Sequence, residues 1–297
     1  MRPRKLVNHM THRGLAICLV VVALALGASL SLIGCGGEEE GSQPTAEPTV
    51  TAAALAEPTL GSTLTPEEER PTGFLGQHGI YTAFPPADLE LYRALLPPQF
   101  DMPDKPEVVV FVADYYDINI PLAERYPDLG LPDMVPYREG AVLLQCEYEG
   151  HPGRHVITMP VDDDTANRAG RLLGFPKYVA DEITLEETDS GWVGRVMHEG
   201  RTVLSVELTF APGATPRRGG AEADIPLFQL IPPGQGPQVR KVDSVASEDT
   251  QTESVFGTAS IQVDPDAEWA ELIPEGRVGA MFREATGASN LVPSSPE

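Results

Sequence analysis

Cysteine and lysine are the scarce residues of this chain, and each scarcity excludes something. There are three cysteines, Cys18, Cys35 and Cys146. The first two lie in or beside an N-terminal apolar run, so a mature domain would keep Cys146 alone. No disulfide framework is then available, and the sequence holds neither a paired-Cys metal motif nor a His-Glu-x-x-His helix. Within AVLLQCEYE, Cys146 alternates with apolar residues and has no adjacent His or basic residue, which reads as a small core residue rather than a reactive thiol. Positive charge is also short. Lys plus Arg number 21 against 44 Asp plus Glu, for a net charge of −23, and 1–35 contains four of the basic residues and none of the acids. Such acidity excludes a phosphate backbone, and with it nucleic acid, as a partner. Its plain use is solubility outside the cell.

Only one long apolar run occurs. Arg2, Arg4, Lys5 and Arg13 precede LAICLVVVALALGASLSLIG, which stops at Cys35. A basic flank, an apolar stretch and a small residue before cysteine read as an export signal, against the alternative of a buried or membrane-spanning helix. Leu32-Ile33-Gly34-Cys35 resembles a bacterial lipobox, which implies that Cys35 is lipidated and the protein held at the membrane of the cell envelope by its lipid. Residues 36–72 contain no aromatic residue and are rich in Pro, Thr, Glu, Ala and Gly. Such a composition does not bury enough apolar area to offset its ordering entropy, so 36–72 is expected to be a disordered tether spanning about 35 Å. The remaining residues, 73–297, suffice for one large domain with its own core.

That domain reads as mainly strand. The segments 106–116, 141–149, 154–161, 181–188, 191–199 and 201–210 are short runs rich in Val, Ile, Thr and aromatics, separated by Gly, Pro, Asp and Ser turns. Thr188-Asp189-Ser190-Gly191 and His198-Glu199-Gly200 look like successive hairpin turns of an antiparallel meander. Two helices are expected to interrupt it, at 87–96 with Leu91 and Leu95 on one face, and at 163–173, which opens with acids and stops at Gly174. The fold class is therefore α+β, mainly antiparallel β, as a β-barrel or cone with a few helices that can enclose an apolar pocket.

One of only four lysines, against seventeen arginines, stands in GFPKYVAD. Lys177 follows a Gly-Phe-Pro turn amid Phe175, Tyr178 and Val179. Among apolar neighbours an amine loses the hydration that favours its ammonium form, and the free amine is the form that attacks a carbonyl. The competing reading is a lysine that caps a turn and snorkels to water. Glu139 likewise has a bland reading, an exposed turn acid in a chain crowded with acids. His151, His155 and His198 lie at strand ends or turns and have no supporting motif for catalysis.

From Tyr137 to Ala180 the chain resembles the acetoacetate decarboxylase superfamily. The matching positions are Tyr137 with Glu139, Met159 with Asp162, Gly170 with Arg171, and Phe175 through Lys177, in order and near the family spacing. The likeness extends more weakly over 73–285. It implies the same cone-like fold, with Lys177 as the Schiff-base lysine and Glu139 orienting substrate or moving protons. Tyr137, Met159 and Phe175, with His78 at the place of an early arginine, would contact substrate. A second lysine of the decarboxylases is replaced here by Tyr178, and a second acid falls near Val112 and Asp114. The implied chemistry is decarboxylation of a small β-keto or other oxo acid without metal or cofactor, since a lysine iminium is itself the electron sink. Relatives on the same fold that carry out aldol condensation or dehydration supply one alternative, and a non-catalytic lipoprotein that binds a small ligand in the same barrel supplies another. A structural envelope lipoprotein is a third. A homo-oligomer is compatible with each of these.

Overall fold

The computed structural model describes residues 71–220, 225–231 and 238–294. The expected leader over 1–35 with Cys35, and all but the last two residues of the tether expected over 36–72, lie outside the described residues. In chain order the elements are β1 (Gly73–Phe84), α1 (Leu89–Leu95), β2 (Val108–Asn119), α2 (Leu122–Arg125), β3 (Tyr137–Tyr148), β4 (His151–Val161), α3 (Asp164–Leu172), β5 (Lys177–Val179), β6 (Glu182–Thr188), β7 (Gly191–His198), β8 (Arg201–Phe210), β9 (Arg217–Gly220), β10 (Leu227–Leu230), β11 (Val239–Ala246), β12 (Gln251–Val263) and β13 (Arg277–Ser294). The fold is mostly antiparallel sheet with few helices, as expected.

Local chemistry accounts for the element ends. Asp88 caps α1 by accepting from the Leu91 amide at 2.8 Å, and Asp163 caps α3 by accepting from the Ala166 amide at 2.8 Å. Glu199 and Gly200 both have positive φ, 50° and 73°, between β7 and β8. That is the geometry of a tight hairpin turn, at the place where the sequence signals one.

The strands form a ring. Neighbours run β1, β2, β3, β4, β10, β11, β13, and β13 pairs back onto β1. The ring is not a regular barrel, because β4 meets β10 at a single parallel pair, Leu227 opposite Arg154. From β13 a second arm of sheet continues through β12, β8 and β7 to β6 and packs on the outer face of β2 and β3. There Gly194 of β7 lies against Val112, and Gly140 of β3 against Val196, each so closely that an added Cβ would stand under 3 Å from the facing valine.

Pleat alternation divides the apolar residues between two cores. Val110, Val112, Val142, Leu144 and Cys146 face outward to meet Val196, Leu204, Val206 and Leu208 of the second arm. Val109, Phe111, Ala113, Ala141 and Leu143 face into the ring, with Val156, Met159, Phe175 and Val242. At about 25 cal/mol per Å² each layer contributes strongly to stability. The inner layer also makes the wall of the site.

Candidate active site

Lys177 is aimed into the ring by three devices. Helix α3 ends in a tight turn in which the Leu173 and Phe175 amides both donate to the Gly170 carbonyl, at 3.0 and 3.1 Å. Gly174 then takes φ 92°, a conformation that glycine adopts without a Cβ penalty. Pro176 fixes the next step, and the Lys177 amide donates to the Phe175 carbonyl at 2.8 Å as the chain enters β5. In β5 Lys177 lies opposite Met159 of β4, so the two side chains share the inner face.

A bulge in β4 makes that face available. Leu143 pairs with Val156 but Val142 pairs with Thr158, leaving Ile157 as an extra residue. The inserted residue reverses the alternation, so that Val156 before it and Met159 after it both point inward.

Within the ring the Lys177 ammonium donates to Glu139 Oε2 at 2.5 Å, with the two side chains only 6% and 5% exposed. The same nitrogen lies 5.1 Å from the centre of the Tyr137 ring, which stacks on Tyr115 at 4.9 Å. Burial first, then the negative charges of Glu139, Asp163 and Asp162, push the Tyr137 phenol well above its usual range, and its hydrogen bond to Glu139 acts in the same direction. Tyr137 therefore keeps its proton and donates a hydrogen bond to Glu139. The carboxylate is held by two donors, with Met159 and Phe175 buried nearby in the inner core. This arrangement can hold a carbonyl compound against an amine, move one proton between amine and carboxylate, and exclude water from both.

The structure thus brings together five of the residues singled out in sequence: Lys177, Glu139, Tyr137, Met159 and Phe175. It does not bring His78 to them. His78 lies opposite Asp114 on the outer side of β1 and packs among Tyr116, Trp192 and Phe282, with ring centres 5.2 to 5.6 Å away. The pleat is the reason, since Gly79, the next residue, is the one in phase with Ala113 and the inner face. Asp114 is outward for the same reason and pairs with Arg138 at 3.0 Å. The inner residue opposite Glu139 is Ala113. Tyr178 also faces away, its ring tilted against that of His198 with centres 4.8 Å apart, beside a cleft of about 180 Å³ that Arg201 and Asp264 help to line.

Two residues close to this geometry carried no clear signal in the sequence. Gly170, matched only as part of Gly-Arg, packs flat on the Lys177 stem: a Cβ there would overlap Cδ, stand 2.5 Å from Cε and 3.2 Å from Nζ. Gln229 is 1% exposed on β10, in phase with apolar Leu227 and next to the Gly174 turn. The visible sign was a single amide inside the apolar run PLFQLI.

The family model for acetoacetate decarboxylase (ADC) matches residues 53–288. The chain belongs to the acetoacetate decarboxylase family. Among solved structures, the acetoacetate decarboxylase of Legionella pneumophila is similar at a TM-score of 0.55 and 18% identity, covering 80% of this chain and 98% of that one. An acetoacetate decarboxylase-like enzyme from Sphingomonas wittichii RW1 is similar at 0.52 and 19% identity, covering 74% and 92%. The enduracididine biosynthesis enzyme MppR, complexed with pyruvate, is similar at 0.52 and 20% identity, covering 73% and 88%. At these identities the likeness concerns the fold alone. No curated protein matches by sequence. Family membership points to an enzyme, and the family fold carries decarboxylases and relatives of other activity.

Proposed function

We propose that this member of the acetoacetate decarboxylase family is a Schiff-base enzyme that decarboxylates a small β-keto or other oxo acid through Lys177. The observation that carries the reading is the buried Lys177 and Glu139 pair, 2.5 Å apart on the inner face of the ring. In the proposed reaction Lys177 gives a proton to Glu139 and its free amine attacks the substrate carbonyl carbon. Loss of water leaves a cationic iminium. The bond to the carboxylate carbon then breaks, carbon dioxide departs, and the electron pair moves into the iminium to give an enamine. Glu139, whose first proton left with the water, takes up another from solvent and gives it to the enamine carbon, and water hydrolyses the resulting iminium to release the ketone and restore the Lys177 ammonium.

A specific observation favours a second reading, in which the same imine serves aldol condensation or dehydration. The residues matched to the decarboxylases' polar set, His78, Asp114 and Tyr178, all face away from Lys177. MppR, moreover, has been solved with the condensation product of pyruvate and imidazole 4-carboxaldehyde. A reversible binding protein is the remaining outcome.

Borohydride added with acetoacetate or pyruvate should leave a stable mass increase on the Lys177 peptide. Lys177→Arg should abolish both adduct and turnover, because a guanidinium stays protonated. Product analysis separates carbon dioxide release from condensation or dehydration, and reversible binding without any adduct sinks the enzyme reading. We further propose that Cys35 is lipidated and anchors the exported protein in the cell envelope. Cys35→Ser should release the protein from the membrane fraction or block its processing; normal cleavage with unchanged retention contradicts the anchor.

A further inference from the structure

Three strand side chains that face into the ring are polar and more than nine-tenths buried among the described residues: Glu139, Lys177 and Gln229. Glu139 and Lys177 satisfy one another. Gln229 has no such arrangement, for its Nε2 is buried and has no hydrogen-bond partner. An open buried N–H is costly, so a native core that keeps one offers a bound acceptor a place.

Gln229 points to the right side of the sheet. Phe228 packs in the outer core and Leu227 against the inner one, so alternation turns Gln229 inward with Leu227. Its height in the ring follows from the register. Leu227 is opposite Arg154, which places Gln229, two residues on in a parallel pair, level with Val156. Lys177 is opposite Met159. Three strand positions, roughly 10 Å, therefore separate the two backbones along β4. The Lys177 stem runs from its level toward Glu139, which lies opposite Val161, and Gln229 stands on the same inner face toward the other end of β4. Gly174 of the lysine turn closes over Gln229 from above, its Cβ position only 3.2 Å from the Gln229 Cβ.

Opposite Gln229 on β11 is Arg240, on the same face. One of its guanidinium nitrogens donates to the Leu172 carbonyl at the end of α3, which holds the group at the edge of the same turn. We propose that Gln229, with Arg240 beside it, receives the carboxylate of an oxo-acid substrate, the amide N–H supplying direction and the guanidinium supplying charge. The assignment rests on the imine reading of Lys177, since it takes the reacting carbonyl to lie there. It also replaces the role expected of His78, which the pleat turns outward.

The test uses the full-length chain with acetoacetate and methyl acetoacetate, which differ in the carboxylate charge. Thermal-shift titration gives an apparent Kd for each, and borohydride trapping measures adduct on the Lys177 peptide. Gln229→Leu and the unbranched Gln229→Met should weaken acetoacetate binding about tenfold or more and the ester much less. Arg240→Gln should show the same preference. Both Gln229 variants should also raise the Tm of the unliganded protein, because an open amide has left the core. A lower Tm in both with unchanged acetoacetate binding gives Gln229 a structural role and overturns the proposal, as does equal weakening of acid and ester. Adduct formation from acetoacetate that is the same in wild type and both variants sustains the imine and overturns the subsite. An acetoacetate-induced Tm shift that Gln229→Leu removes, in a protein that forms no adduct, does the reverse.

Discussion

Lys177 reaches Glu139 across an intervening strand. Glu139 of β3 lies opposite Val161 of β4, and Lys177 of β5 lies opposite Met159 on the other edge of β4. Their backbones are two strand spacings apart, about 10 Å, and the long lysine stem closes the gap to 2.5 Å. A pair that is buried and reached this way is sensitive to the loss of either member. Lys177→Met should lower stability by about 3–5 kcal/mol, because it leaves the Glu139 charge uncompensated. The double variant Lys177→Met with Glu139→Gln should regain part of that loss. Urea unfolding of the four proteins checks it, and additive effects would show that the two groups do not interact.

Glu139→Gln alone keeps the shape and removes the proton carrier. Turnover should fall by roughly 10²-fold or more while the far-ultraviolet spectrum is kept. Wild-type turnover would return Glu139 to the status of a buried structural acid.

Gly170 should be intolerant of the smallest side chain. A methyl there meets the Lys177 stem within 2.5 Å of Cε, so Gly170→Ala should push the amine off Glu139. Alanine is a better helix former than glycine, so the helix itself should not suffer. We expect adduct formation at Lys177 to slow by about 10²-fold, the usual effect of a displacement near 1 Å at a reacting centre. An unchanged trapping rate would mean that the stem finds another path.

Tyr178→Lys introduces a cation next to Lys177 in sequence but on the opposite face of β5, where Tyr178 packs against His198. The pH profile of adduct formation should not move. A shift toward lower pH would show that the two amines approach one another after all.

His155 predicts the acid limit of stability. Burial lowers its imidazole below the usual range, while its hydrogen bond to the Phe228 carbonyl, at 2.9 Å, acts the other way. The folded state binds this proton less readily than the unfolded chain. Its contribution is therefore complete above about pH 6.5 and is lost as pH falls through the folded value. Unfolding midpoints measured downward from pH 7.5 should fall less steeply in His155→Phe than in wild type, and equal slopes would contradict this. Cys146 supplies a control in the same core: burial pushes its thiol up to about 12, so iodoacetamide should modify it only after denaturation.

The strands from 106 to 210 were legible because their Val, Ile and Thr runs alternate between turns with strong local signals. β13 was not. Its sequence RVGAMFREATGASNLVPS is rich in Gly, Ala and Ser, and it is a strand because β1, β11 and β12 all pair with it. The lysine was legible for its rarity and its turn, and Glu139 and Tyr137 for their matching motif. His78 was misplaced because a one-residue difference in phase along a strand exchanges inside for outside, and β1 carries two register shifts just before it. Gln229 escaped notice because a lone amide in an apolar run becomes unusual only once its lack of a partner is seen.

Ring closure joins His78 of β1 to Glu284 of β13, and the same strand carries the root of the second arm at Thr252 opposite Ala285. The chain therefore has no completed ring and no anchored second arm until β13 is in place. The apolar strands from 108 to 210 must wait through that interval with open edges, which exposes them to mispairing. Protection of those edges until β13 docks should govern the yield of active protein more than the stability of the finished fold.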